Sequence, residues 1–427
     1  MSIKWTDPLD LAYQISISSY NQNWLFLYSG LFSQIPNSKS YICLYPSIQI
    51  IADDFQEIEK SLRASNEKYF GYFGYELKNC LENLKASEKS FINLPNLWLM
   101  KFAVVLEFDH DKKEIRQFGF SKEFNDLKLG TKNENPKVIN EIEVKNLKSN
   151  FSKSAYLEKL ESIQKNITDG EIYQANLTRK FFGELRQEPE NPFEVFLKLN
   201  KASPANYSSF LKIGDSQIIS SSPELFLKID ENNQVISRPI KGTAKRFADK
   251  ELDCESKENL KNSPKEQAEN LMIVDLVRND LSKNCRASSV EVKNLFKISS
   301  YKTLHHLSSE IIGIKEENSS NLDVLKSCFP AGSMTGAPKI RAMEICADLE
   351  KQNRGIYSGA IGFIGNDSCQ LSVVIRTLIL QKNKFEFQVG GAITFDSIPQ
   401  SEWQETISKS KGIAKTLGIR LADLERI

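Results

Sequence analysis

The chain has 427 residues, with 56 basic against 55 acidic side chains, a formal charge of +1, and 40% hydrophobic and 10% aromatic content. That apolar fraction excludes wholesale disorder, and the balanced charge removes the basic excess of a nucleic-acid binder. At roughly 150 residues per domain, the length allows two or three domains or one large α/β unit.

No apolar run approaches the ~20 residues needed to span a bilayer. The start, Met1-Ser-Ile-Lys-Trp-Thr-Asp-Pro8, has no apolar signal core, so a cytoplasmic protein without membrane or nucleic-acid contacts is expected. Seven scattered cysteines contain no Cys-x-x-Cys pair, which fits reduced thiols rather than disulfides or a zinc site. His110, His305 and His306 are the whole histidine complement, too few for a multi-histidine metal centre. A bound metal is therefore expected on carboxylates, which favours Mg²⁺.

Taken in chain order, residues 1–128 form an N-terminal α/β region, with strand-like runs at Leu97–Met100 and Phe102–Leu106. The polar stretch 129–150, which holds Gly130 and Pro136, is predicted to be a linker or crossover. Over residues 151–427, the second expected domain, the pattern sharpens. There Tyr156, Leu160, Ile163 and Ile167 recur at helical spacing between Ser152 or Ser154 as caps and Gly170 as a stop. Strands are predicted at Ser209–Ile213 and Gln217–Ser220, and a hairpin at Leu225–Ile229 and Val235–Ile240 around Asp230-Glu-Asn-Asn233. Helices follow at Ser263–Arg278 and from Pro338. Strands at Ala360–Ile364, Leu371–Leu380 and Phe385–Val389 then precede a last helix after Pro399. The mixture predicts an α/β (α+β) fold.

Several patterns carry chemistry. In the helix opened by Ser263-Pro264-Lys265-Glu266, Glu269 shares a face with Met272, Ile273 and Leu276. A carboxylate there is protonated, paired or metal-bound, or it snorkels at the stripe's edge. Glu402, Glu405 and Lys409 share a face of the last helix, either as a solvated charged face or as ligands. Two such helices supply what an oxygen-ligated Mg²⁺ needs. The small-residue segment Phe329–Pro338 leads into a helix whose N-terminus offers an anion site, with Lys339 and Arg341 as reinforcement; the alternative is an ordinary glycine-rich connection. A turn at Gly390-Gly391-Ala392 is expected to let a ligand carboxylate approach the backbone. Lys241, in Pro239-Ile-Lys-Gly-Thr243, is either a solvated turn lysine or, with a lowered pKa, a nucleophile.

Five motifs occur in a fixed order: Pro239–Thr243, Glu269–Asp280, Phe329–Arg341, Arg354–Gly362 and Gly390–Thr406. Together they resemble the chorismate-utilising enzymes, a family that includes anthranilate synthase component I, isochorismate and salicylate synthases and aminodeoxychorismate synthase component I. The resemblance is strong over about 150–427 and thinner before, where Phe70-Gly-Tyr-Phe-Gly-Tyr-Glu76 carries it. It implies a large structure of layered, mainly antiparallel sheets with outer helices and a central cleft. Anthranilate synthases usually read alanine at the position of Lys241, and aminodeoxychorismate synthases lysine, as does this chain. That branch implies Lys241 as the nucleophile on chorismate and Glu224 as the general acid. Glu269 and Glu405 match magnesium ligands, with Glu266 and Glu402 as outer or water-mediated partners. Arg376 and Tyr357 match contacts to the enolpyruvyl carboxylate. Lys409, Gly391, Thr335, Gly242, Thr243 and His306 match further pocket residues. Ala331 and Ala392 stand where the family often has glycine. The absence of a Gly-x-Cys-x-Gly motif implies ammonia from a separate glutamine amidotransferase subunit, as a heterodimer. Leu27-Tyr28-Ser29-Gly30 faintly resembles the tryptophan site of relatives. The rivals are another chorismate reaction, chiefly anthranilate synthesis, and a catalytically silent chorismate- or tryptophan-binding subunit; the presence of Lys241, Glu224, Glu269 and Glu405 argues against the latter.

Overall fold

The computed structural model describes residues 4–31, 38–82, 84, 87–127, 141–301 and 304–427. Eighteen strands among these form one antiparallel sheet, and fifteen of them follow a single path of neighbours. It begins at Val144–Ser149 and passes through Gln174–Leu185, Lys384–Ile393, Thr377–Gln381, Ser216–Ser222 and Tyr207–Ile213 to Trp24–Tyr28. It continues through Lys39–Ala52, Leu97–Asp109, Tyr69–Phe73, Ala360–Ile364, Cys369–Val373 and Leu225–Ile229 to Gln234–Arg238 and Ile311–Ile314. The first 128 residues and the remainder of the chain therefore contribute neighbouring strands to one sheet. Such strands alternate their side chains between two faces, and the ladder folds back so that its halves stack.

Between the stacked halves lies an apolar cluster that draws Leu25, Phe70, Tyr72 and Phe102 from one part of the chain and Leu211, Ile361, Phe363 and Ile379 from another. On one outer face, Phe196, Ile413 and Leu417 of the helices Pro192–Ala202 and Pro399–Leu417 cover Phe385 and Phe387. On the other, Ile273, Val277 and Leu325 of Pro264–Ser282 and Asn321–Cys328 cover Leu227 and Leu371. The fold is thus a large α/β structure of layered antiparallel sheets flanked by outer helices. Among the described residues no helix is long and apolar enough to cross a membrane.

Local sequence accounts for most elements. Ser152 accepts a hydrogen bond from the Ala155 amide and starts the helix Lys153–Thr168, whose Tyr156, Leu160 and Ile163 are buried. Ser263 caps Pro264–Ser282 with proline in its first turn. The two runs flanking Lys101 are a single strand, Leu97–Asp109, because Lys101 turns out to Glu67 at 2.7 Å instead of breaking the ladder. Of the polar stretch 129–150, residues 129–140, with Gly130 and Pro136, lie outside the described residues, while Val144–Ser149 pairs with Gln174–Leu185 as an edge strand. Its side chains are exposed or half-buried, which is why its composition reads as polar.

Two further expectations need correction. The run Leu371–Leu380 is two strands, Cys369–Val373 and Thr377–Gln381, separated by a break at 374–376 where Arg376 has φ +50°. The amides of Ser358 and Val374 tie this break to the 358–359 segment, through Ser358 N to Val374 O and Val374 N to Gly359 O, both at 2.9 Å. Gly390-Gly391-Ala392 is no turn but a continuation of the strand Lys384–Ile393. Small residues are needed there because of what packs on them: a Cβ on Gly390 would lie 2.9 Å from Asn176 Nδ2, and one on Gly391 3.2 Å from Glu402 Oε2.

Candidate active site

Lys241 owes its position to a change of sheet. Pro239 has no amide hydrogen and cannot extend the ladder of Gln234–Arg238. The chain steps instead into a small sheet of Ile240–Lys245, Leu304–Ser308 and Lys297–Ser300. The register slips between Ile240 and Thr243, and Gly242 adopts φ +89°, a conformation that suits glycine. A Cβ at Gly242 would also meet Glu266 Oε2 at 2.7 Å. This irregularity turns Lys241 inward, where it is buried and its Nζ donates to the Ser333 carbonyl at 3.3 Å.

Glu224 is buried just ahead of the strand Leu225–Ile229, and the Ser333 hydroxyl donates to its Oε1 at 2.6 Å. Burial raises the Glu224 carboxyl to about 7, against the opposing pull of Ser333 and Lys241. Burial also lowers the Lys241 ammonium, helped by the charge of Lys409 and resisted by Glu269 and Glu224. An acid that keeps its proton near neutrality and an amine that sheds one more easily thus meet at one serine.

Four carboxylates stand alongside. Glu266 and Glu269 come from Pro264–Ser282, and Glu402 and Glu405 from Pro399–Leu417. Burial raises Glu266, Glu269 and Glu402, and Glu405 pushes each of them further up. Glu405 itself is lowered: burial pushes it up, but Lys409, in contact at 2.6 Å, together with Lys265 and Lys241 pulls it down further. Lys265 stands 3.9 Å from Glu269 and 3.7 Å from Glu402; Ser397 also donates to Glu402 at 2.8 Å. Lys409 also donates to the Gly390 carbonyl at 2.8 Å. Glu269 therefore has a lysine neighbour rather than an arginine, and the Glu405–Lys409 pair bridges the last helix to the glycine strand. Among the described residues no three His, Cys, Asp or Glu side chains converge closely enough to hold a metal ion. The donors are oxygen-only and mutually repelling, which is the chemistry that suits a hard dication.

Arg376 projects from the strand break, and Glu224 partly offsets the lowering that burial imposes on its guanidinium. Tyr357 is buried within reach of the Glu224 charge, and its hydroxyl is pushed up by burial. His306 is buried opposite Thr243, with its Nδ1 3.5 Å from the Thr243 hydroxyl. Burial, with Arg376 nearby, lowers His306 to about 3, so the ring is neutral. The Thr335 hydroxyl donates to the Gly332 carbonyl at 3.2 Å, and its own carbonyl accepts from the Asn176 amide at 2.8 Å.

The expected anion site at 329–338 changes character. Lys339 is buried and donates to Asp280, Cys328 O and Pro330 O at 2.5, 2.9 and 3.0 Å, while exposed Arg341 pairs with Glu171 and Glu344. Both are consumed by the scaffold: Lys339 by the base of this turn, Arg341 by the surface. Leu27-Tyr28-Ser29 lines a separate cavity of about 370 Å³, together with Lys39, Asn206 and Arg238.

Ser333 carries no signal in the sequence, because an uncharged serine in a small-residue turn is unremarkable until Glu224 and Lys241 fold onto it. Its hydroxyl favours the ionised form of Glu224, so Ser333→Ala should move the alkaline limb of the pH–rate profile upward. A shift of about one pH unit is expected, since a hydrogen bond to a charged group is worth about 1.5–3 kcal/mol. An unchanged profile would remove Ser333 from the site.

The chorismate binding enzyme family matches residues 38–415. Among similar proteins, the anthranilate synthase component 1 of Lactococcus lactis subsp. lactis is 33% identical over 361 residues, covering 81% of this chain and 78% of that protein. The aminodeoxychorismate synthase component 1 of Klebsiella aerogenes is 36% identical over 351 residues, covering 81% and 76%. The crystal structure of anthranilate synthase component I from Streptococcus pneumoniae TIGR4 superposes with a TM-score of 0.79 at 26% identity, covering 97% of this chain and 99% of that one. With its layered sheets and this pocket of acid, amine and carboxylates, the chain belongs to the family of chorismate binding enzymes.

Proposed function

We propose that the chain is the large subunit of an aminodeoxychorismate synthase, converting chorismate and ammonia to 4-amino-4-deoxychorismate and water. The observation that carries this reading is the buried Lys241 amine joined to Glu224 through Ser333. Neutral Lys241 attacks ring carbon 2, and the carbon 4 hydroxyl departs as water with the proton of Glu224. Ammonia then adds at carbon 4 and expels the lysine amine, so nothing else is consumed. Arg376 and Tyr357 hold the enolpyruvyl carboxylate, Arg376 through its planar fork. Lys409, Gly391, Thr335, Gly242, Thr243 and neutral His306 complete the pocket wall.

Glu269 and Glu405 would hold Mg²⁺, with Glu266 and Glu402 behind them, and the bound ion would neutralise and orient the ring carboxylate. Ammonia comes from a separate glutamine amidotransferase subunit. Tryptophan is the ligand proposed for the cavity at Leu27–Ser29.

A second reading, anthranilate synthesis, is favoured by the near-equal identity to relatives of both kinds and by the solved structure above. Direct addition of ammonia at carbon 2 gives Lys241 no covalent task, which is why the first reading is preferred. Mass spectrometry of the products from chorismate, Mg²⁺ and ammonium salt at mildly alkaline pH decides between them. A product that keeps the enolpyruvyl group is expected; anthranilate with pyruvate would establish the second reading. If nothing forms even with a glutaminase subunit added, the chain only binds.

A further inference from the structure

Arg354 is 2% exposed, and all five of its guanidinium hydrogens are engaged. Nε and Nη2 each donate to Glu350 at 2.8 Å. Nη2 also donates to the Asn176 carbonyl at 2.8 Å, and Nη1 to the Met334 carbonyl at 2.9 Å and the Ser358 hydroxyl at 3.3 Å. The Tyr75 ring packs 4.6 Å from the guanidinium carbon. Glu350 in turn accepts from the Thr178 amide at 3.0 Å.

These contacts reach the backbone segments that carry Thr335, Tyr357 and Arg376 of the proposed pocket. Met334 lies between Ser333 and Thr335. Asn176 donates its amide to Thr335. Tyr357 donates its amide to the Arg354 carbonyl at 3.2 Å, and Ser358 ties the same turn to Val374, two residues before Arg376. We infer that Arg354, oriented by Glu350, is the positioning residue that fixes Thr335, Tyr357 and Arg376 relative to one another.

The planar fork is what makes this work: five donors in one rigid plane hold three chain segments at set angles. A lysine brings three donors around a point and cannot serve all five of these acceptor atoms. Arg354 itself reaches no substrate, and this inference rests on the functional reading above.

The test is a double-variant cycle on the full chain, using Arg354→Lys, Tyr357→Phe and both together. Chorismate affinity is measured by equilibrium dialysis, KM and kcat by turnover, and folding by thermal melting. Arg354→Lys is expected to melt cooperatively, with Kd and KM for chorismate raised at least about tenfold and kcat changed less. Its combination with Tyr357→Phe should cost less than the product of the single effects, because both act through one contact. Glu350→Gln, a milder change, should show the same pattern and decides the matter if Arg354→Lys does not fold. Wild-type affinity in a folded variant, or fully multiplicative effects, would overturn the inference. A wild-type chain that binds no chorismate would instead overturn the functional reading, and this inference with it.

Discussion

Lys241→Ala is expected to slow amination of chorismate by at least about 10²-fold, the scale of losing one positioned catalytic group, while the melting temperature stays within a few degrees. The reason is local. Lys241 is buried, donates to the Ser333 carbonyl, and is held below its ordinary pKa by burial and by Lys409. Neutral, it carries a lone pair on a side chain with little freedom to swing away. Alanine leaves Glu224 and its Ser333 hydrogen bond in place, so departure of the hydroxyl stays assisted but the covalent route is lost. Intact-mass and peptide analysis during turnover should find a substrate adduct on Lys241 in the wild type and none in the variant. Amination at an unchanged rate would sink the covalent role and return the chain to direct addition of ammonia.

Glu269→Gln is expected to remove most magnesium-dependent activity. Glu269 and Glu266 face Glu405 and Glu402 from a separate helix, and burial together with their mutual repulsion raises Glu266, Glu269 and Glu402. A dication held between the two helices would relieve that repulsion. An amide at 269 keeps the shape and removes the charge. The activating Mg²⁺ concentration should rise more than about 10-fold, since even outer partners of a metal cost about 10–100-fold in affinity when lost. Glu402→Gln, one step removed, should fall within that range. Calorimetric Mg²⁺ titration of the chain without chorismate checks the assignment independently of turnover; identical binding curves for wild type and Glu269→Gln would reject Glu269 as a ligand.

Charge patterns on helices are legible in the residue spacing. Offsets of three, four and seven residues place Glu266 and Glu269, or Glu402, Glu405 and Lys409, on one helical face whatever the surroundings. Spacing does not separate a solvated face from an ion site, because the two share the same periodicity. Lys339 and Arg341 show the opposite case: both follow a glycine-rich turn and both read as anion-binding, yet Asp280 and two carbonyls claim the first and Glu171 and Glu344 the second. Their partners lie up to 170 residues away in sequence, beyond any local pattern.

The sequence by itself determined the helices that follow Ser152 or Ser154 and Ser263, most of the strands of the catalytic half, and the chorismate binding family through five ordered motifs. These are local properties: hydrophobic period, capping chemistry and residue identity at short spacing. Only the tertiary structure decided that Pro239 sends Lys241 into a second sheet, that residues 374–376 break a strand to aim Arg376, and that Gly390 and Gly391 stay extended under Asn176 and Glu402. It alone made Ser333 the link between acid and amine and Arg354 the clasp of three chain segments. Such roles depend on which distant strands become neighbours. That pairing is settled by burial summed over the whole sandwich rather than by any segment's own preference.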